Sequence, residues 1–168
     1  SSGDTKYNVI EYIDINSTGN AADFGDLSSA KRSLMSASSS TRAVAAGGVD
    51  SNLLNVIEYV TIASTGNVTD FGDLTLAVLQ GTGTGNSTRG LFQLGQSANA
   101  YLNTIDYITI ASAGNSQDFG DLTVARSYGE DSAVSSPTRG VFAGGYGGSG
   151  SINTIDYVTI GSTGNASD

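Results

Sequence analysis

Acidic side chains recur in register along this chain, and that register is the first feature with chemical potential. Glu11, Glu58, Asp106 and Asp156 form one set; Asp23, Asp70, Asp118 and Asp168 a second; Asp26, Asp73 and Asp121 a third. Together they are 11 of the 16 acids in 168 residues. Carboxylates at fixed intervals beside turn carbonyls are the hard oxygen donors that hold Ca²⁺, although no EF-hand loop is present. The other reading is structural: Asp fixes a turn through the neighbouring backbone, and the mid-strand acid pairs with arginine. Arg42, Arg89 and Arg139, each after Thr, recur at the same intervals, and Glu58 with Arg89 is the specific pair expected. Tyr12, Tyr59, Tyr107 and Tyr157 could stack a sugar ring, but one tyrosine per repeat inside a strand points first to packing between repeats. Residues 145–150 fit G-x-G-x-x-G, yet a strand pattern follows where a helix N-terminus would be needed to hold a pyrophosphate. Asn16, Asn67, Asn86 and Asn165 begin formal glycosylation sequons, which arise cheaply in a Ser/Thr-rich chain.

The missing residue types narrow the chemistry further. The chain has no His, no Cys and no Trp, which removes Ser-His-Asp and Cys-His nucleophiles and imidazole or thiolate metal sites. A net charge of −9 disfavours nucleic acid and anionic membrane as partners. No apolar run reaches the roughly 20 residues of a membrane span, and no basic-then-apolar leader is visible. A non-enzyme is expected, without catalytic residues or a bound cofactor; calcium remains the one metal to keep in view.

The elements that position these residues form an internal repeat. Residues 8–27 read NVIEYIDINSTGNAADFGDL, residues 55–74 NVIEYVTIASTGNVTDFGDL, and residues 103–122 NTIDYITIASAGNSQDFGDL; a fourth copy starts at Asn153. The turn glycines Gly19, Gly66, Gly114 and Gly164 lie 47, 48 and 50 residues apart. Each period offers four strand-like pieces, exemplified by residues 104–110, residues 118–125, a weak piece at 33–40 or 129–136, and a glycine-ended piece at 42–48, 89–95 or 139–145. These are rich in β-branched and aromatic residues and bounded by Gly, Asn and Asp. No 3.6-residue period is sustained, and only residues 33–40 could be read as helix. Four strands per period predict an all-β fold of β-propeller blades, each of four antiparallel strands. A β-solenoid or an open repeat fibre is the alternative. The divisions fall at 1–32 (partial blade), 33–79, 80–127 and 128–168 (partial blade).

The order of glycine-ended strand, tyrosine strand, turn and aromatic-led strand resembles the kelch repeat of galactose-oxidase-type propellers. Gly47-Gly48 and Gly144-Gly145 match its double glycine. Tyr59, Tyr107 and Tyr157 match its tyrosine, Phe24, Phe71 and Phe119 stand in place of its tryptophan, and Arg126 matches a frequent arginine. Departures are Leu94-Gly95 for the doublet and Val78 at the Arg126 position. The oxidase's copper site needs His and a Tyr–Cys crosslink, so that activity does not carry over. The wording of the repeats is also similar to repeat proteins of tailed bacteriophages. That resemblance implies a structural or adhesive virion or tail component, located in the virion or outside cells. Its partners would be further repeats or copies of itself, other virion proteins and a host-surface glycan. The alternative is a soluble carbohydrate- or ligand-binding propeller module, with calcium as its stabilising ion.

Variation adds a location. The segments 33–40, 81–87 and 128–136 and the stretches 49–54, 96–102 and 146–152 differ between repeats. Repeat scaffolds place binding chemistry in such insertions. Propellers close with about four to eight blades, so two copies of a chain with two full and two partial blades would complete about seven.

Overall fold

The computed structural model describes residues 5–127 and 132–168, which form thirteen strands and, among the described residues, no helix. β1 (Tyr7–Tyr12) and β2 (Ala22–Lys31) make a two-stranded sheet. β3 (Met35–Ser38), β4 (Arg42–Ala46), β5 (Leu54–Thr61) and β6 (Thr69–Val78) make a four-stranded one. β7 (Thr82–Gly85), β8 (Arg89–Gln93), β9 (Leu102–Thr109) and β10 (Gln117–Arg126) repeat that pattern. β11 (Ala133–Ser135), β12 (Arg139–Ala143) and β13 (Ile155–Thr159) form a three-stranded sheet. Each strand pairs with its sequence neighbour, and every pairing among the described residues is antiparallel. The fold is all-β, built of four-stranded antiparallel meanders with the 47–50 residue period; parallel solenoid rungs are not what the repeats build.

Local chemistry accounts for the connections. The turn between the first two strands of each of the last three sheets is tied by a side-chain oxygen that accepts two backbone N–H groups. Ser39 Oγ accepts from Thr41 and Arg42, Asn86 Oδ1 from Thr88 and Arg89, and Ser136 Oγ from Thr138 and Arg139. The arginine is therefore placed at the start of its strand in all three repeats.

The segment 33–40, where helix was the competing expectation, is strand over β3, with Met35 and Ala37 buried and the residues between them exposed. That two-residue alternation sets the core against helix geometry, which Ser and Ala alone would have left open. Of its counterpart at 129–136, residues 129–131 lie outside the described residues and β11 covers Ala133–Ser135. The variable segments 33–40 and 81–87 are thus not free loops: they carry the first, edge strands of their sheets, and β3 lies beside β7 and β7 beside β11. Ser135 Oγ donates to the Gly85 carbonyl oxygen at 2.5 Å across the second of these contacts. The approach is close enough that a Cβ on Gly83 would sit 2.0 Å from the Ser36 carbonyl oxygen.

The core lies between consecutive sheets. Ile57, Phe71, Leu74 and Val78 of the second sheet meet Phe92, Leu94, Ile108 and Ile110 of the third. Leu91, Ile105, Phe119 and Leu122 of the third meet Phe142, Val158 and Ile160 of the fourth. One repeat position makes the dependence visible: Ile15, Ile62, Ile110 and Ile160 are 93%, 45%, 1% and 0% exposed. Ile15 has neither inner strands of its own nor a preceding sheet in the structure, Ile62 has only a two-stranded sheet before it, and the last two follow complete sheets. A sheet is sealed by its predecessor, at about 25 cal/mol for each Å² of apolar surface removed from water.

Glycine substitutions separate these contacts from local conformation. Gly72 sits at φ +144°, and a Cβ there would lie 2.5 Å from the Gly114 carbonyl oxygen. Gly72→Ala should lower unfolding free energy by at least about 2 kcal/mol. Gly161, whose repeat counterparts are Ala63 and Ala111 and beside which a Cβ meets nothing within 4 Å, should accept Ala with a change below about 1 kcal/mol. Urea titrations followed by circular dichroism compare the two, and equal losses would refute the close-approach account.

Candidate functional site

The best-repeated residues converge on the junctions between sheets. From the second copy on, each S-T-G-N or S-A-G-N turn lies against the D-F-G-D strand of the repeat before it. Gly66 N–H donates to the Phe24 carbonyl at 2.7 Å and Val68 N–H to that of Asp26 at 3.0 Å, while Asp26 N–H donates to Asn67 Oδ1 at 3.0 Å. The same three bonds link Gly114 to Phe71, Ser116 to Asp73 and Asp73 to Asn115. They recur again between Gly164 and Phe119, Ala166 and Asp121, and Asp121 and Asn165. Gly25, Gly72 and Gly120 must be glycine because the following turn's backbone occupies the Cβ position, 2.3–2.5 Å away at its nearest atom. The Asn67 and Asn165 sequons therefore begin at side chains already committed to a junction.

Three of the four mid-strand acids, Glu58, Asp106 and Asp156, are buried, but their partners are not the repeated arginines. Lys31 on β2 pairs with Glu58 on β5 at 2.6 Å, and Arg126 on β10 pairs with Asp156 on β13 at 2.9 Å, every one of these side chains shielded from water. Burial pushes the Arg126 guanidinium down from its ordinary value and Asp156 offsets part of that shift. The expected Arg89–Glu58 pair is thus corrected: the cation comes from the end of the preceding sheet's outer strand, which points at the acid, whereas Arg89 lies on β8 and reaches the following sheet. Asp106 has Val78 where its counterparts have Lys31 and Arg126. It accepts instead from Thr75 N–H at 2.8 Å, Thr75 Oγ1 at 2.9 Å and Ser116 Oγ at 2.6 Å. Ser116 is itself a departure, since the same position holds Val68 and Ala166. Where the cation is missing, a hydroxyl from the clasping turn takes its place, as a buried carboxylate requires. Glu11 is exposed on β1.

Arginine and tyrosine work together elsewhere. Arg42, Arg89 and Arg139 lie 4.3, 4.9 and 4.6 Å over the rings of Tyr59, Tyr107 and Tyr157 on the adjacent strand. Arg42 also donates to the Ile110 carbonyl and Arg89 to that of Ile160, each at 2.8 Å and each in the following sheet. The tyrosine rings make their aromatic contacts inside one sheet: Tyr12, Tyr59 and Tyr107 meet Phe24, Phe71 and Phe119 edge-on at 5.8–5.9 Å. The second and third acid sets are dispersed. Asp118 accepts from Gly120 N–H at 3.0 Å, capping its own turn, and among the described residues no three acids come together around a cation.

One concavity takes its aromatic lining from residues the repeat does not share. A cleft of about 650 Å³ is lined by Tyr101, Gly145, Tyr146, Ser151 and Ile152. It stands between the stretches 96–102 and 146–152, which belong to consecutive repeats. The Tyr101 and Tyr146 ring centroids are 5.9 Å apart with planes at 56°. Backbone bridges Val49 to Leu53, Gln96 to Tyr101 and Tyr146 to Ser151 show a bridged turn at the same place in three repeats, one residue shorter in the first. The G-x-G-x-x-G match at 145–150 is this last turn, and β13 follows it, not a helix.

Sequence reasoning located the variable stretches but overlooked Tyr101, Tyr146, Lys31, Ser116 and the turn asparagines. Lys31 carried a legible signal, standing 47 residues before Val78 and 95 before Arg126. No protein family matches the chain, and no characterised protein shows significant similarity to it.

Two tests follow from the junctions. Arg126→Val should destabilise the protein by about 3–5 kcal/mol because Asp156 stays buried without its cation. Adding Ala166→Ser recreates the Val78, Thr75 and Ser116 surroundings of Asp106, with Thr123 already donating to Asp156 at 2.6 Å. Thermal denaturation should show the double variant regaining at least about 1 kcal/mol; an additive or larger loss would sink the substitution rule. Arg89→Lys should cost about 1–2 kcal/mol by losing ring contact and a directed bond together. Arg139→Lys should cost less in the same measurement, since no described residue of a following sheet accepts from Arg139.

Proposed function

We propose that this chain is a non-enzymatic structural and adhesive repeat protein, with its sheets acting as blades of a kelch-like propeller. It would serve in a phage virion or tail, or otherwise outside cells. The observation that carries the reading is the division of labour within the repeat. The recurrent Gly, Phe, Asp, Asn and Arg positions are largely engaged in holding repeats to one another, and the recurrent Tyr in holding each sheet together. The variable stretches 96–102 and 146–152 are left to differ on the surface. A protein whose recurring residues serve its own continuity is a scaffold, and one whose surface turns vary on that scaffold presents contacts. The adjacency of β3, β7 and β11 supports a radial arrangement of blades, and the likeness of the repeat wording to tailed-phage proteins supports the virion setting. Partners on this reading are further repeats or copies of the chain, other virion proteins and a surface glycan.

An electron-microscopy map of the native assembly tests the reading. It should show the chain recurring around a symmetric shell or tail, its sheets packed blade to blade, with residues 96–102 and 146–152 facing outward. A solitary particle-free protein that turns over a substrate would overturn it.

A further inference from the structure

The cleft between the 96–102 and 146–152 turns has an internal control within the chain. The corresponding turn positions elsewhere hold Val49 and Gln96 where the last turn has Tyr146, and Leu53 and Ser151 where the middle one has Tyr101. The turn forms with its bridge in all three cases, so neither tyrosine is needed to fold it. Both nevertheless occur, in consecutive repeats, and their rings meet in a tilted contact on the lining of one cleft.

We infer that this cleft binds a neutral saccharide, its pyranose faces lying against Tyr101 and Tyr146. This deepens the adhesive reading above and rests on it for the outward placement of the turns. The rings supply large amphipathic surfaces at low conformational cost, and Ile152 adds an apolar floor. Ser151 and the glycine backbone supply polar groups for a hydroxyl-bearing rim. Tyrosine set among Gly, Ser and Asn is the composition of adaptable recognition loops. The stretches GQSANAY at 95–101 and GGYGGSGSI at 144–152 have that composition. Gly148, at φ +87°, brings its backbone to the Tyr101 ring, where a Cβ would lie 3.4 Å from the ring carbons. The volume of about 650 Å³ lies within the roughly 300–1,000 Å³ of small-ligand sites. No Lys, Arg, Asp or Glu lines the cleft among the described residues, and a chain of net charge −9 repels anions over its whole surface. Uncharged sugars fit that setting better than sialylated or phosphorylated ones.

Saturation-transfer NMR and calorimetry on the full chain test this with maltohexaose, cellohexaose, mannohexaose and galactohexaose, and with 3′-sialyllactose as the charged comparison. At least one neutral oligosaccharide should bind with Kd of about 1 mM or tighter. Its titration should shift the amide signals of Tyr101 and of residues 145–152, a readout that depends on no variant. Tyr101→Leu with Tyr146→Gln installs the residues of the neighbouring turns; it should weaken binding at least about tenfold with the melting temperature unchanged. Phe at both positions keeps the ring faces and should retain affinity within about tenfold. Absence of binding by all four neutral sugars, preference for 3′-sialyllactose, shifts confined to other residues, or full affinity in the Leu/Gln variant would each overturn the inference. Co-sedimentation of the same variants with particles reports on the scaffold reading separately, since neither tyrosine takes part in the turn–strand clasps that tie the sheets together.

Discussion

The clasp between each T-G-N turn and the preceding F-G-D strand is the constraint on which the architecture depends. Three hydrogen bonds at each junction add about 0.5–1.5 kcal/mol apiece, which is modest. Their larger effect is geometric. Fixing the turn against the previous outer strand brings the next sheet's middle strand onto that strand's side chains, so the apolar core forms between sheets instead of within one. The exposure series at Ile15, Ile62, Ile110 and Ile160 records the consequence, because burial at one repeat is completed by the repeat before it. Stability in such an array is a sum of nearest-neighbour terms.

The buried acids show how a repeat tolerates change at this junction. Glu58, Asp106 and Asp156 occupy one position and all are buried, yet they are satisfied by Lys31, by Thr75 with Ser116, and by Arg126. A buried carboxylate fixes the need for partners, not their identity. Val78 is therefore not a defect in the pattern; the compensating hydroxyl comes from the next repeat's turn, some forty residues later.

Much of this was legible in the sequence. The period, the strand-forming pieces and the turn residues follow from local preferences, and residues 42–46, 89–93 and 139–143 form strands where their composition places them. Side-chain pairing was less legible. Arg89 and Glu58 share a register, but a two-residue strand period says which residues lie on one face and not which sheet each face meets. Residues 33–40 were ambiguous because Ser and Ala fit helix and strand; packing against β7 decided for strand. The tyrosine cleft was hidden because its two rings come from turns of different repeats, 45 residues apart.

By itself the sequence determined an all-β repeat chain, its period, and the exclusion of chemistry that needs His or Cys, because these rest on residue identity and short-range backbone preference. The tertiary structure decided that the glycine of D-F-G-D is required by a neighbouring turn, that lysine and arginine from the preceding sheet pair with two of the three buried acids, and that the Tyr101 and Tyr146 rings meet. Each of those depends on how consecutive sheets are oriented against one another, and that orientation is set by contacts between distant residues, which local preference does not encode.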